Sequence, residues 1–229
     1  MKLLAIETSG KMCGACILEN NKIIDTLELN NGLTHSESLM PLIEELLKKN
    51  NLKISDFDAF ICDIGPGSFT GIRIGVATVK AFIDCFENVK YTGVSSLETL
   101  VFNSTKSGLI CSIIDAKNDN CYYALYNLND NNYIEILPPV AASIDEMFHC
   151  LSEYSDKPIT FVGDCVSSYK NIINENIQNA EFLSDDLNNI KTSNLALAGF
   201  NKISSGNTLE LSPLYLKKPQ AQRQLEEKK

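Results

Sequence analysis

Short apolar segments separated by turn residues make up the first part of the chain. They span 3–8, 13–19 and 22–29, and they predict three antiparallel strands that follow one another as a meander. A helical stripe comes next, with apolar side chains at Leu39, Leu42, Ile43, Leu46 and Leu47. Thr34 and Glu37 precede this stripe at the spacing of a capping box, so the helix is expected to begin there.

A second group of elements follows this helix. An apolar run at 58–64 predicts a buried strand, and 65–71 forms a glycine-rich turn. A second helix is predicted at 72–86, followed by a short strand at 91–94 and a helix that begins at Ser95.

The same order of elements begins again after the middle of the chain. The predicted elements are strands at 108–115, 121–128 and 132–137, a helix at 144–154, a strand at 159–164 and a helix from 166. An acid closes the first strand of each half, Glu7 in one and Asp115 in the other. A βββαβα unit therefore occurs twice, which predicts an α/β protein of two similar lobes with a cleft between them.

The domain boundaries follow from this duplication. The N-terminal lobe is expected at 1–105 and the C-terminal lobe at 106–191. A last helix and strand, at 192–216, are expected to pack back on the N-terminal lobe. Residues 217–229 are expected to form a flexible tail.

Composition and charge narrow the range of functions. The 229 residues include 20 basic and 29 acidic side chains, a formal net charge of −9, and only two arginines. Seven acids and no lysine or arginine lie within 118–156, and the one basic-leaning segment is 217–229. A protein that grips nucleic acid by itself normally carries a basic stripe, so tight binding of nucleic acid by this chain alone is not expected.

The apolar runs and the cysteines indicate the cellular compartment of the protein. No run approaches the ~18–20 consecutive apolar residues of a membrane-spanning helix, and the first apolar run ends at Glu7, too early for a signal peptide. Most of the eight cysteines lie within apolar runs, which is typical of reduced thiols in a protein core. The sequence therefore predicts a cytoplasmic protein without a membrane segment.

The segment GPGSFTGIRIG, at 65–75, is the most informative part of the chain. A strand ends, glycines permit a tight turn, and Ser68 or Thr70 caps the helix that follows. Free N–H groups at a helix start can bind an anion, but the glycine spacing matches neither a P-loop nor a dinucleotide fingerprint. A sharp turn that delivers a tightly packed helix explains the segment at least as well as phosphate binding does.

The second helix is apolar or small around most of its circumference. One domain usually covers only one stripe of a helix, so a second covering is expected from another subunit; burial within this chain alone is the alternative. Gly71 and Gly75 are one turn apart and would let a partner helix approach closely. The residues assigned to partner binding are Ser36, Met40, Gly71, Arg73, Ile74, Gly75, Thr78 and Phe82.

Metal chemistry is not predicted. His35 and His149 are far apart in the sequence, and His35 is expected to make only a local contact at the start of its helix. Cys13 and Cys16 form an isolated pair that would point to opposite faces of a strand, so a packing role is expected for both.

The ends of the two first strands are the remaining candidates for chemistry. In a two-lobed fold, Glu7 and Asp115 would face the cleft, where together with Thr8 and Ser9 they could hold a metal-bound nucleotide. The alternative is that these residues only begin turns, and the sequence favours neither reading.

Several motifs resemble one known family. The segment 65–82, GPGSFTGIRIGVATVKAF, is similar to the signature of the TsaB (YeaZ) family. The similarity continues in the same order along nearly the whole chain. It includes LAIETS (4–9), HSESLMPLIEELL (35–47), GVSSLETL (93–100), IDAKNDNCYYALY (114–126), FVGDCVSSY (161–169) and PLYLKKP (213–219). Lys117 stands where the family usually has arginine.

The resemblance implies a fold and a role. The fold is the actin/sugar-kinase/Hsp70-like (ASKHA) fold. The role is that of a non-catalytic subunit that binds TsaD through the N-terminal lobe, with the ATPase TsaE as a third subunit. TsaD transfers threonylcarbamoyl to N6 of adenosine 37 in ANN-decoding tRNAs, and this chain would meet tRNA through the complex. No tightly bound cofactor is implied, although ATP or ADP at the junction with the partner is compatible with the family.

The resemblance also argues against catalysis by this chain. TsaD-type sequences carry a His-x-x-x-His metal pair after the strand that follows the second helix, whereas 95–99 here reads SSLET. Two alternatives stay open. One is a stand-alone ASKHA-fold kinase, acyltransferase or M22-like peptidase, although the loops beside Glu7 and Asp115 are poor in glycine. The other is a homodimer that forms through the same apolar helix.

Overall fold

Two five-stranded sheets organise the chain in a computed structural model that describes residues 1–30, 32–129 and 132–217. The first sheet has the order β3-β2-β1-β4-β5. Its strands are β1 Lys2–Glu7, β2 Cys13–Glu19, β3 Lys22–Leu29, β4 Ala59–Asp63 and β5 Lys90–Val94. The first three strands pair antiparallel, as the predicted meander requires, and β4 and β5 continue from β1 in parallel.

The second sheet repeats this topology. Its order is β10-β9-β6-β7-β8, with β6 in the central position that β1 occupies in the first sheet. Its strands are β6 Gly108–Asp115, β7 Asn120–Asn129, β8 Asn132–Ser143, β9 Ile159–Val162 and β10 Ala180–Phe182. The duplicated βββαβα unit and the ASKHA fold are therefore confirmed.

Six α-helices accompany the sheets in the described residues. They are α1 His35–Lys49, α2 Phe69–Asp84, α3 Ser96–Val101, α4 Ile144–Leu151, α5 Val166–Asn176 and α6 Thr192–Ser205. The predicted capping box of α1 is formed, because the Glu37 carboxylate accepts a hydrogen bond of 3.0 Å from the Thr34 backbone N–H. Among these residues, no helix has both the length and the apolar composition needed to cross a bilayer.

Helices cover both faces of the first sheet. The apolar sides of α1 and α2 pack with Cys13 on one face, and α6 packs with Cys16 on the other. The two cysteines therefore point to opposite faces, as predicted. The approach of α6 is close, because a Cβ atom on Gly199 would lie 2.2 Å from Ile61 Cδ1.

Helix α3 connects the lobes. Its apolar side packs on strands β6 and β7 of the second sheet, while Glu98 forms a 2.8 Å ion pair with Lys202 of α6. Asn103, directly after α3, donates to the carbonyls of Leu187 and Asn189 at 2.6 and 2.8 Å. These contacts tie the segment that precedes α6 to the end of α3 and so fix the orientation of the two lobes.

Candidate functional site

The glycine-rich turn brings α2 tightly onto the first sheet. Gly65 has φ +98°, a left-handed conformation that glycine adopts without strain. A Cβ atom on Gly67 would lie 2.4 Å from the Ser9 carbonyl oxygen. Ser68 rather than Thr70 caps α2, since its hydroxyl accepts a 3.2 Å hydrogen bond from the Gly71 N–H. These contacts favour the packing role of the turn over phosphate binding.

Gly71 and Gly75 face this chain and not a partner. A Cβ atom on Gly71 would lie 1.9 Å from the Thr8 carbonyl oxygen, and one on Gly75 would lie 2.4 Å from Thr8 Oγ1. The Thr8 hydroxyl also donates a 2.8 Å hydrogen bond to the Gly71 carbonyl. The prediction that a partner helix approaches Gly71 and Gly75 is therefore wrong, because the end of β1 already occupies the space beside them.

His35 belongs to the same contact. Its Nε2 atom lies 3.0 Å from the carbonyl oxygen of Gly10, in the turn after β1. The expectation of a purely local contact at the helix start was wrong, because α1 begins beside this turn.

The outer side of α1 and α2 stays uncovered in the described chain. Ser36 and Met40 are exposed on α1, and 51% of the Met40 surface is accessible. On α2, Arg73 is exposed, whereas Ile74, Thr78 and Phe82 are half-buried. Phe82 also packs against Phe60 of the core, with 5.6 Å between ring centroids. We call the outer surface formed by Ser36, Met40, Arg73, Ile74, Thr78 and Phe82 the α1–α2 face.

A cleft of about 520 Å³ lies between the two lobes. The structure brings Glu7 and Ser9 from the first lobe and Asp115 from the second to its walls. Thr8 does not reach the cleft, because it is completely buried and its side chain points to α2. Its assignment to a nucleotide site is therefore wrong, whereas the expectation that both strand-end acids line the cleft is confirmed.

The segment 209–217 crosses one side of this cleft. The Leu214 N–H donates to the Ile64 carbonyl at 2.7 Å, and Lys217 Nζ donates to the Ala116 carbonyl at 3.1 Å. The segment therefore joins both lobes. The segment has no regular secondary structure, so the strand expected within 192–216 is not formed. The Leu209 N–H, for example, donates a 2.9 Å hydrogen bond to the Thr92 hydroxyl and not to a strand carbonyl. The predicted tail begins at its end, and 218–229 lie outside the described residues.

Two buried acids and two serines form a network beneath the cleft. Glu7 Oε1 accepts hydrogen bonds from the Ser9 N–H and hydroxyl, both at 2.7 Å, and from the Gly10 N–H at 3.1 Å. Asp63 Oδ1 accepts from the Ser96 hydroxyl at 2.6 Å, and the two serine hydroxyls lie 3.0 Å apart. Asp63 and Ser96 were missed in the sequence, where an acid after the apolar run AFIC was the available signal.

The electrostatics of this network favour a retained proton. Burial raises the pKa of the Glu7 carboxyl well above its usual value, and the neighbouring Asp63 carboxylate raises it further. Burial also raises the pKa of Asp63. In the described residues, Glu7 Oε2 and Asp63 Oδ2 are buried without a hydrogen-bond partner. Burial and the neighbouring carboxylate thus both favour the protonated form of Glu7.

The cleft loops do not fit the phosphates of a nucleotide. The N–H groups of Ser9 and Gly10, which would cradle a phosphate, are taken by Glu7. In the second lobe, Asp115 accepts from the Lys117 N–H at 2.8 Å and forms an ion pair with the same side chain. Within the described ranges, no group of three or more His, Cys, Asp or Glu side chains is placed to hold a metal.

The chain is similar to known proteins along most of its length. The sequence model of a family described as "TsaD: tRNA N6-adenosine threonylcarbamoyltransferase" matches residues 31–224. A Bacillus subtilis protein, "tRNA threonylcarbamoyladenosine biosynthesis protein TsaB", is 30% identical over 224 residues, which cover 97% of this chain and 96% of that protein. The chain belongs to the TsaB (YeaZ) family.

Other relatives are consistent with this assignment. The Escherichia coli TsaB is 28% identical over 134 residues, 57% of each chain. The solved structure "YeaZ from Pseudomonas aeruginosa" superposes with a TM-score of 0.74 at 20% identity and covers 94% of this chain and 99% of that one. Because the sequence identity to the Pseudomonas aeruginosa structure is only 20%, that superposition establishes the shared fold and nothing further.

Proposed function

We propose that this TsaB-family chain is a non-catalytic subunit in the formation of N6-threonylcarbamoyladenosine at position 37 of ANN-decoding tRNAs, and that it binds TsaD. The observation that carries the proposal is the relationship to the Bacillus subtilis TsaB over nearly the full length of both chains. The absence of histidine from 95–99 supports the non-catalytic role, as does a cleft whose phosphate-binding donors are occupied.

The α1–α2 face is the proposed surface for TsaD. It combines the exposed thioether of Met40 on α1 with the half-buried Ile74 and Phe82 on α2, large apolar groups of the kind that suit a subunit interface. Arg73 lies at the N-terminal end of this face. The same surface would serve a homodimer when TsaD is missing, so the two assemblies are expected to compete.

The remaining parts of the proposal concern the wider complex. TsaE is the proposed third subunit, tRNA is reached through the complex, and ATP or ADP binds at the junction with TsaD and not in the cleft of this chain. The complex is proposed to act in the cytoplasm, in agreement with eight free cysteines in the structure.

Substitution of Met40 by glutamate tests the proposed interface. The new carboxylate would be buried without a partner, so Met40→Glu is expected to weaken binding to TsaD at least tenfold. Ile134→Glu is the matched control, because Ile134 is 68% exposed on β8 of the other lobe. Light scattering of mixtures with TsaD and threonylcarbamoyl transfer to tRNA are the measurements. If Met40→Glu binds TsaD and supports transfer as the wild type does, the α1–α2 face is not the TsaD-binding surface. If the wild type itself neither binds TsaD nor supports transfer, the proposed function is refuted.

A further inference from the structure

An exposed stack of three side chains borders the cleft. Phe69, the first residue of α2, stacks on Tyr215 with 5.0 Å between ring centroids and 26° between ring planes. The Arg73 guanidinium, one turn along α2, lies 5.3 Å from the centroid of the Phe69 ring. The Phe69 and Tyr215 rings are 41% and 48% exposed, respectively, so both keep surface for a further ligand. We call these residues the Arg73–Phe69–Tyr215 stack.

Hydrogen bonds on either side hold the backbone that carries the stack. Tyr215 is anchored by the bond from Leu214 to the Ile64 carbonyl on one side and by the bond from Lys217 to the Ala116 carbonyl on the other. Phe69 is fixed by the Ser68 cap at the start of α2. The backbone that carries both rings is thus held in place and the rings stack on one another, so a planar ligand would bind with less loss of side-chain freedom than at an unsupported ring.

The charge around the stack is positive in a chain that is otherwise acidic. In the described part of the chain, Arg73 and Lys11 form no ion pair. Lys11 lines the cleft together with Phe69 and Tyr215, and Lys217 follows two residues after Tyr215. Two exposed or half-buried acids lie on the opposite wall: Asp115 is paired with Lys117, and Asp164 accepts a 2.9 Å hydrogen bond from the Asp115 N–H. The surroundings of the rings therefore favour an anionic ligand.

We propose that the Arg73–Phe69–Tyr215 stack binds an unpaired base of RNA, with Lys11 and Arg73 beside the adjoining phosphates. Unpaired bases are recognised by stacking on aromatic rings and guanidinium planes, while lysine and arginine neutralise the backbone. RNA supplies both a counter-charge for the Arg73 guanidinium and planar bases for the two rings. The inference rests on the proposed function, in which the complex acts on tRNA, and adds the contact that this chain makes.

Two single-stranded probes of equal charge distinguish base stacking from charge attraction. An RNA of about twelve adenosines and an abasic ribose-phosphate chain of the same length carry equal charge, but only the first has bases to stack. The wild-type chain at low salt is expected to prefer the first, and Tyr215→Ala is expected to weaken its binding by roughly five- to a hundredfold, with little change for the abasic probe. Tyr215→Phe keeps a ring and should bind like the wild type. Tyr91→Ala is the matched control, since Tyr91 is 42% exposed on β5.

The assembled complex provides the second measurement. With TsaD bound, Tyr215→Ala should weaken tRNA binding without changing the affinity for TsaD, and melting curves establish that the variant is folded. Three results would refute the proposed binding of RNA by the stack: equal binding of both probes by the wild type, no measurable binding of either probe, or loss of TsaD affinity as the only effect of Tyr215→Ala. The adenosine probe is measured without TsaD. A wild-type chain that prefers this probe but forms no complex with TsaD would therefore refute the proposed function and still support RNA binding by the stack.

Discussion

Replacement of Gly71 by alanine tests how closely helix α2 lies against the end of β1. The added methyl group would stand 1.9 Å from the Thr8 carbonyl oxygen and 2.9 Å from His35 Cδ2, both far inside normal contact distance. The carbonyl belongs to the main chain of a completely buried residue, so it cannot rotate away as the end of a long side chain would. Either α2 or the main chain at Thr8 must therefore move.

Opposing effects set the size of the change. Alanine is a better helix former than glycine by about 1 kcal/mol. Overpacking a tight interior loses about 1–3 kcal/mol. A shift of α2 would also stretch the 2.8 Å hydrogen bond from Thr8 to the Gly71 carbonyl, which contributes about 1 kcal/mol. The net expectation for Gly71→Ala is a loss of about 2 kcal/mol, or a fall in Tm of roughly 4–8 °C.

Scanning calorimetry of the isolated chain measures this directly. Ala77→Leu is the control, because it adds side-chain atoms to the exposed side of the same helix and should leave Tm within about 1 °C of the wild type. A higher Tm for Gly71→Ala would refute the reasoning. It would mean that helix propensity dominates and that the glycines line an open groove after all.

Two further predictions concern buried charges. Because burial raises the pKa of folded Glu7 above the usual value of 4.5, the folded chain keeps this proton to higher pH than the unfolded chain does, so stability should fall as pH rises above 4.5. Glu7→Gln should therefore show a smaller fall in Tm between about pH 5 and pH 8, and parallel curves would contradict this. Lys202→Met should lower the free energy of unfolding in urea by about 3 kcal/mol, because Glu98 is left buried without its cation. The double variant with Glu98→Gln should regain part of that loss; an equal loss in both variants would exclude the ion pair as the cause.

Apolar periodicity and turn residues were sufficient to predict most elements of the fold. The elements that escaped have identifiable reasons. Strand β10, Ala180–Phe182, has three residues at a sheet edge, too few for a periodic signal. Strand β8 extends to Ser143, beyond its predicted end at 137, because an edge strand tolerates the prolines at 138 and 139.

The site was less predictable, because periodicity identifies the residues that share a helix face but not the neighbour that covers this face. The small residues Gly71 and Gly75 correctly indicated a close approach, yet the neighbour is β1 of the same lobe and not a second subunit. Asp63 and Ser96 are 33 residues apart, and only the fold brings them together with Glu7. The cleft acids could be predicted because the duplication places the ends of β1 and β6 opposite one another.

The hydrogen bonds within the cleft turns explain why neither proposed contact uses those turns to hold a phosphate. A fold of this kind can bind a phosphate only if its turn N–H groups are free, and here Glu7 and Asp115 accept those hydrogen bonds themselves. The segment 209–217 then ties the lobes together across the cleft. What this arrangement leaves available is the outer α1–α2 face and the aromatic stack at the border of the cleft. Arg73 belongs to both the α1–α2 face and the Arg73–Phe69–Tyr215 stack, so TsaD and RNA would meet the chain at adjoining parts of α2.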